Sequence, residues 1–429
     1  MTATLLASQT RTLENGLRVV VHEDHTSPVV AVHLMYHVGS RHEQPGRTGL
    51  AHLLEHLLFE GTEHAPKGTF DDLLERAGGS NNGSTWLDRT CYHETVPTNA
   101  VELALWLERD RMVHFLPALN ETILNAQRSV VINERLEAYD NRPYGLADER
   151  LHQMLFPPQH PYSWPTIGYQ RDLEAITLAD ARDFYQRYYV PGNAALVLAG
   201  DLVSDRAFAL AERFFGDLPS GPAVAQTPAG SPVSPVTRRA SMADEVSFPR
   251  IYRAYTAPRF GTADWVALDV LAYLLADGES SRLQRALIRQ GRLAQDVDTY
   301  LYPTEVASVF GIVATARSGV SPEELEATLD RVLCEVLERG VDHAELQGAI
   351  RRAQRDQIAE LATVESRAEE LAYATLVLGS PGALADMLEL YAAVTPEEVS
   401  RIGREYLIAE RSATLTVVPV GEQRAQHAA

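Results

Sequence analysis

Cysteine is almost absent from this 429-residue chain, with only Cys91 and Cys334, far apart and without a CxxC spacing. That excludes a disulfide framework and a cysteine-ligated zinc site, and it is compatible with a reducing compartment. Long apolar runs are missing too, since no stretch approaches the roughly 18 residues of a membrane-spanning helix. The first residues, MTATLLASQT, have neither a basic leader nor a long apolar core, so no secretion signal is read there and a cytoplasmic protein is expected. Positive charge is in short supply: 38 Lys and Arg stand against 58 Asp and Glu, a formal charge of −20. Such a surface repels nucleic acid and anionic lipid, so neither is expected as a partner.

What is present is the composition of a globular protein, 45% hydrophobic and 22% charged. The length suits two domains of about 200 residues. Residues 218–240 are dense in Pro, Gly, Ser and Ala and read as a linker between domains 1–217 and 241–429. The flanking halves repeat one grammar. TLADARDFYQRYYVPGNAALVLAGD from Thr177 is a capped helix, a short loop and an apolar strand, and TPEEVSRIGREYLIAERSATLTVVPVG from Thr395 repeats it. Thr177 to Tyr188 and Thr395 to Tyr406 have the same spacing. A duplicated α+β domain is expected.

In the first half, LRVVVHED and VVAVHLMYHV read as strands, and Thr48 is a plausible N-cap for the helix that follows. On a wheel of that helix, Leu50, Leu53, Leu54, Leu57 and Leu58 form a core stripe, while His52, Glu55, His56 and Phe59 gather opposite. Two histidines at i and i+4 can share one metal ion, the spacing zinc takes from a single helix. Glu55, adjacent to both, suits a base for a metal-bound water, and its acid form can protonate a leaving amine. The order His52-Leu53-Leu54-Glu55-His56 is the inverted form of the metalloprotease motif.

A catalytic zinc takes a third protein ligand. In the helical pattern ETILNAQRSVVINERLEAY, Glu134 falls on the side of Ile123, Val130 and Val131, a face expected to turn inward. A carboxylate there needs a compensating cation. Glu137, one turn on, is the alternative ligand or a partner behind the ligands.

Taken with LENGLRVVVHED, GRTGLAHLLEHLLFEGT, AGGSNNGSTWLDRTCYHETVP and RSVVINERLEAYDNRPYG, the chain resembles the pitrilysin and insulinase metallopeptidases. In particular it resembles the short members similar to mitochondrial processing peptidase subunits. The resemblance covers nearly the whole chain, including a Glu 78 positions after the second His of the motif. It implies one Zn2+ per chain held by His52, His56 and Glu134, with Glu55 as general base. Many members carry a second Glu seven residues before the ligand Glu; here that position is Gln127, which can hydrogen-bond behind the ligands but supplies no charge. GGSNNGSTW suits an exposed sheet edge able to accept an extended peptide. The family's substrate-binding edge strand maps onto Asn82, Gly83 and Ser84.

The second half lacks HxxEH. In related peptidases the metal-free domain supplies an Arg and a Tyr that hold the substrate carbonyl. Arg250 and Tyr252, which an alternating strand places on one face, are the candidates, with Tyr255 as another. Long members of the family enclose substrate between two bowl-shaped halves of a clamshell chamber. This chain has the two homologous α/β-sandwich domains of one half, so a homodimer, or a heterodimer with a related zinc-free subunit, is expected. The implied reaction is endoproteolysis of peptides or unfolded polypeptide. A zinc-binding but noncatalytic scaffold or core subunit is the alternative.

Overall fold

The computed structural model describes residues 6–224 and 238–421. Most of the stretch read as a linker, 225–237, therefore lies outside the described residues. Two mixed sheets carry the fold. The first contains Gln9–Thr12 (β1), Arg18–Glu23 (β2), Val29–Tyr36 (β3), Ser80–Thr85 (β4), Thr90–Pro97 (β5) and Ala194–Gly200 (β6), in the order β1-β2-β6-β3-β5-β4. The second contains Arg238–Asp244 (β7), Arg250–Ala257 (β8), Ala294–Leu301 (β9), Ser308–Ala316 (β10) and Ser412–Pro419 (β11), in the order β7-β11-β8-β10-β9.

The duplication expected from Thr177 and Thr395 holds at the level of topology. In each sheet one parallel pair, β2 with β6 and β7 with β11, is followed by antiparallel neighbours in the same sequence. Thr177 caps the helix Leu178–Tyr188 and Thr395 caps Pro396–Tyr406, each through a reciprocal box with the acidic residue three positions on. β6 and β11 follow these helices. Among the described residues β1 has no counterpart in the second sheet. The two strands expected near the N-terminus are β2 and β3.

The chain divides into two compact units, each assembled from separated stretches. One comprises the described parts of Met1–Arg135, Trp164–Gln226 and Ile358–Asp386; the other those of Leu136–Ser163, Thr227–Gln357 and Met387–Ala429. In the first unit the helix Val364–Tyr373, from the C-terminal half of the sequence, lies on β3 and β6. Small residues on the sheet, Ala31, Ala195 and Ala199, meet Ala368 and Ala372 in one core, so the helix can approach closely. Polar contacts rim this packing: Arg367 to Asp24 at 2.7 Å, Arg89 to Glu369 at 2.8 Å and His93 to Glu365 at 3.2 Å. In the second unit the helix Ala147–Leu155, from the N-terminal half, packs on β8 and β11. No single described helix is long and apolar enough to cross a membrane.

Candidate metal centre

The motif helix spans Leu50–Leu58 and begins after Gly49. Gly49 has φ +87°, and a Cβ there would lie 2.7 Å from the Ile167 carbonyl oxygen, so glycine is required on both counts. Thr48 is not the cap. Its hydroxyl donates to Asp172 at 2.7 Å and accepts from the Tyr169 amide. The N-terminal amides are met instead by Glu43, whose two carboxyl oxygens accept from Gly49 N–H at 2.9 Å and Ala51 N–H at 2.8 Å. A carboxyl suits that place because the first amides of a helix lack partners and carry the positive end of its dipole.

All five leucines of the helix are buried, as their spacing predicts, while His52 and His56 stay half-buried on the opposite side. The second ligand-bearing helix is Glu121–Arg135. Its buried row is Leu124, Gln127, Val131 and Arg135. Val130, expected inward, is 45% exposed, because the row is centred between the 127 and 131 positions rather than on 130. Glu134 flanks this row, half-buried, and turns to the histidines. Its two carboxylate oxygens lie 3.2 Å from His56 Nε2 and 3.8 Å from His52 Nε2. One ligand atom from each of His52, His56 and Glu134 falls within a common 4.8 Å.

The charge states of the three groups depend on one another. Burial holds the His52 imidazole neutral, its pKa down to about 4, against a smaller upward pull from Glu134. Burial also disfavours charge on His56, but the hydrogen bond and charge of Glu134 outweigh it and raise its pKa. Glu134 is lowered, first by its hydrogen bond to His56, against the opposing effect of burial. Glu55 is raised by burial, opposed by a 2.5 Å hydrogen bond from the Thr85 hydroxyl on β4.

Gln127 is buried behind the ligands, where its side chain hydrogen-bonds His56 and donates to Glu60 at 2.6 Å. Glu137 is exposed in the π-helical turn Leu136–Asp140, which belongs to the second unit. Asn82, Gly83 and Ser84 lie on β4, the outermost strand of its sheet, paired with His93, Tyr92 and Cys91 of β5. Arg89 grips Ser84 at both its hydroxyl, 2.5 Å, and its carbonyl, 3.2 Å.

In the second unit Arg250 and Tyr252 do share a face of β8, with the guanidinium 3.3 Å from the phenol oxygen. Arg250 also donates to Thr315 at 2.8 Å and stacks 3.7 Å over the ring of Tyr144. Tyr255 is on the opposite face, buried beside Arg253 and Phe310. Sequence reasoning missed Thr85, Glu43 and Tyr144. Only Tyr144 left a local signal, its place between Pro143 and Gly145, where the chain takes φ +62°.

The donor set fits zinc: two imidazole nitrogens and a carboxylate oxygen converge. The fold and this centre define a two-unit α/β protein with the donor set of a zinc hydrolase. The chain belongs to the M16 pitrilysin/insulinase-type peptidase family. Residues 18–163 match the family described as Insulinase (Peptidase family M16), and residues 175–353 match the Peptidase M16 inactive domain. The zinc protease PqqE of Helicobacter pylori is 31% identical over 95% of this chain and 92% of its own length. The zinc protease YmxG of Bacillus subtilis, itself uncharacterized, is 24% identical over 96% of this chain and 98% of its own. The crystal structure of a protease from Helicobacter pylori superposes with a TM-score of 0.89 at 31% identity, covering 96% of this chain and 99% of that one. These relatives support a peptidase.

Proposed function

We propose that the protein is a zinc-dependent endopeptidase acting on peptides or unfolded polypeptide segments, with one catalytic zinc per chain. The observation that carries this reading is the position of Glu55, a buried carboxyl between the two histidines and tied to the edge strand by Thr85. His52, His56 and Glu134 would hold the ion, which supplies polarisation of the scissile carbonyl and acidifies the attacking water to a pKa of about 7. Glu55 takes the proton of the attacking water and returns it to the leaving amine. Burial suits it to both roles, because a carboxyl raised from its ordinary range is a stronger base toward the attacking water and keeps the proton it has taken until the amine leaves.

Asn82, Gly83 and Ser84 receive the substrate backbone as an added strand, which their outermost position in the sheet supports. Arg250 and Tyr252 are assigned to the substrate carbonyl, and their mutual contact supports their acting as a pair. We further propose that the active form is a dimer, with itself or with a related zinc-free subunit.

The test is to incubate the zinc-loaded chain with flexible peptides and with the same sequences embedded in a folded protein, while measuring its mass by sedimentation. Cleavage of the peptides alone by a dimer is expected. A zinc-loaded chain that cuts nothing by itself, and gains activity with a zinc-free relative, overturns the homodimer. No cleavage under either condition overturns the peptidase in favour of a scaffold.

A further inference from the structure

A second group of metal-ligating side chains lies in the first unit, among residues the proposed peptidase chemistry does not use. Glu63 and His64 sit on the loop that leaves the motif helix, and His114 on the helix Val101–Ala118. One ligand atom from each of the three falls within a common 4.8 Å. The two imidazole rings stand edge to face with centroids 4.2 Å apart, and Glu63 Oε2 is 3.8 Å from His114 Nδ1. Ligands about 2 Å from a tetrahedral ion stand roughly 3.3 Å from one another, so small side-chain rotations close this cluster on an ion.

The loop is held in place for that purpose. The Glu63 amide donates to the His114 carbonyl at 3.1 Å, and Gly61 and Pro66 form a bridge that closes the turn. Behind His64 is Asp110, whose side chain is only 3% exposed. Its Oδ1 is 2.8 Å from His64 Nδ1, and its other oxygen accepts the Thr62 hydroxyl, which in turn accepts the Ala65 amide at 2.9 Å. Asp110 accepts from His64 Nδ1–H, which leaves Nε2 as the nitrogen available to an ion. A buried carboxylate that fixes the tautomer of a half-exposed histidine is the arrangement found behind histidine ligands in metal sites.

We propose that Glu63, His64 and His114 form a second divalent transition-metal site, filled by zinc, with Asp110 as a positioning residue for His64. Two imidazoles and one carboxylate suit zinc, cobalt or nickel and disfavour magnesium and calcium. Its open, solvent-facing geometry makes it the weaker of the two sites.

Calorimetric titration of Zn2+ into the metal-free full chain tests this, with Co2+ absorption as an independent readout of coordination. Two classes of site are expected, the weaker filling last. His64→Ala and His114→Ala each remove the weaker class and leave the tight class in place. His52→Ala with His56→Ala does the reverse. Asp110→Asn, with folding checked by circular dichroism, weakens the second class by about 10- to 100-fold without abolishing it. A single class of one zinc in the wild type overturns the proposal. So does a weaker class that survives His64→Ala unchanged, which would mark it as zinc scattered over the acidic surface.

Discussion

The hydroxyl of Thr85 donates a 2.5 Å hydrogen bond to Oε2 of Glu55, joining the edge strand to the motif helix. It is the interaction that pulls most strongly against burial, which otherwise favours the neutral acid. Thr85→Val keeps the shape and removes the donor. A hydrogen bond to the ionised form lowers a carboxyl's pKa, so its loss raises Glu55 further and moves the acid limb of the kcat/KM profile to higher pH. A fall in kcat of about tenfold or more at neutral pH is expected, the size of a hydrogen bond to a charged group. Zinc content stays the same. An unchanged pH profile would show that Thr85 does not set the state of Glu55.

Gln127 links His56 to Glu60, which also receives the Lys67 ammonium at 2.5 Å. Removing a group that orients a metal-binding histidine lowers metal affinity by about 10- to 100-fold. Gln127→Ala is expected to lose zinc to a competing chelator over that range, with its circular dichroism preserved. Equal chelator resistance in mutant and wild type would mean that Gln127 fills space only.

Beneath Phe59 the Arg111 guanidinium is buried among three rings, 5.1 Å from Phe59, 4.1 Å from Phe70 and 4.3 Å from Tyr92. It faces Glu108 at 3.0 Å and Glu94 at 3.6 Å. Burial and the neighbouring Glu108 carboxylate hold Glu94 well above the usual carboxyl range, so Glu94 is a neutral acid and the Arg111 cation faces one anion, Glu108. Arg111→Met strands the anion and is expected to cost about 3–5 kcal/mol in urea unfolding. Glu94→Gln replaces a neutral acid by a neutral amide and should stay within about 1 kcal/mol of wild type. Equal losses in the two variants would contradict this charge assignment.

The Arg367 contact to Asp24 gives one edge of the first unit a pH signature. The Asp24 carboxyl is lowered from 3.8 to about 2, chiefly by the Thr26 hydroxyl, with the Thr26 amide and Arg367 adding to it. A depressed carboxyl contributes stability that is present above its unfolded value near 3.8 and is lost as the pH falls through about 2. Allowing for solvent screening, the contribution at neutral pH is about 1 kcal/mol. Asp24→Asn should therefore lower the unfolding midpoint at pH 7, and the gap from wild type should close between pH 4 and pH 2. A gap that persists at pH 2 would assign the loss to packing.

Much of the centre was legible because its information is local. Five leucines at core spacing fix the buried side of one helix, so the faces of His52, Glu55 and His56 follow from the same wheel. Glu134 was reached by spacing, although the inward row proved to run through Gln127 rather than Val130. The cap at Gly49 was not legible, because Glu43 reaches it through a loop whose closure no periodicity encodes. Nor does a helical pattern say which sheet it will cover. Val364–Tyr373 carries Glu365, Arg367 and Glu369 toward the first sheet, and their partners His93, Asp24 and Arg89 lie far away in sequence. The duplication was legible in the two threonine-capped helices, since each repeat contains its own cap, helix and strand.

The most direct test compares zinc content and peptide turnover in the wild type and in Glu55→Gln, both purified with the metal in place. The account expects both proteins to hold zinc at the His52, His56 and Glu134 centre, and the mutant's turnover to fall by a factor on the order of 10² to 10⁴, the contribution of a general base. Turnover in Glu55→Gln equal to that of the wild type, with zinc bound in both, would contradict it.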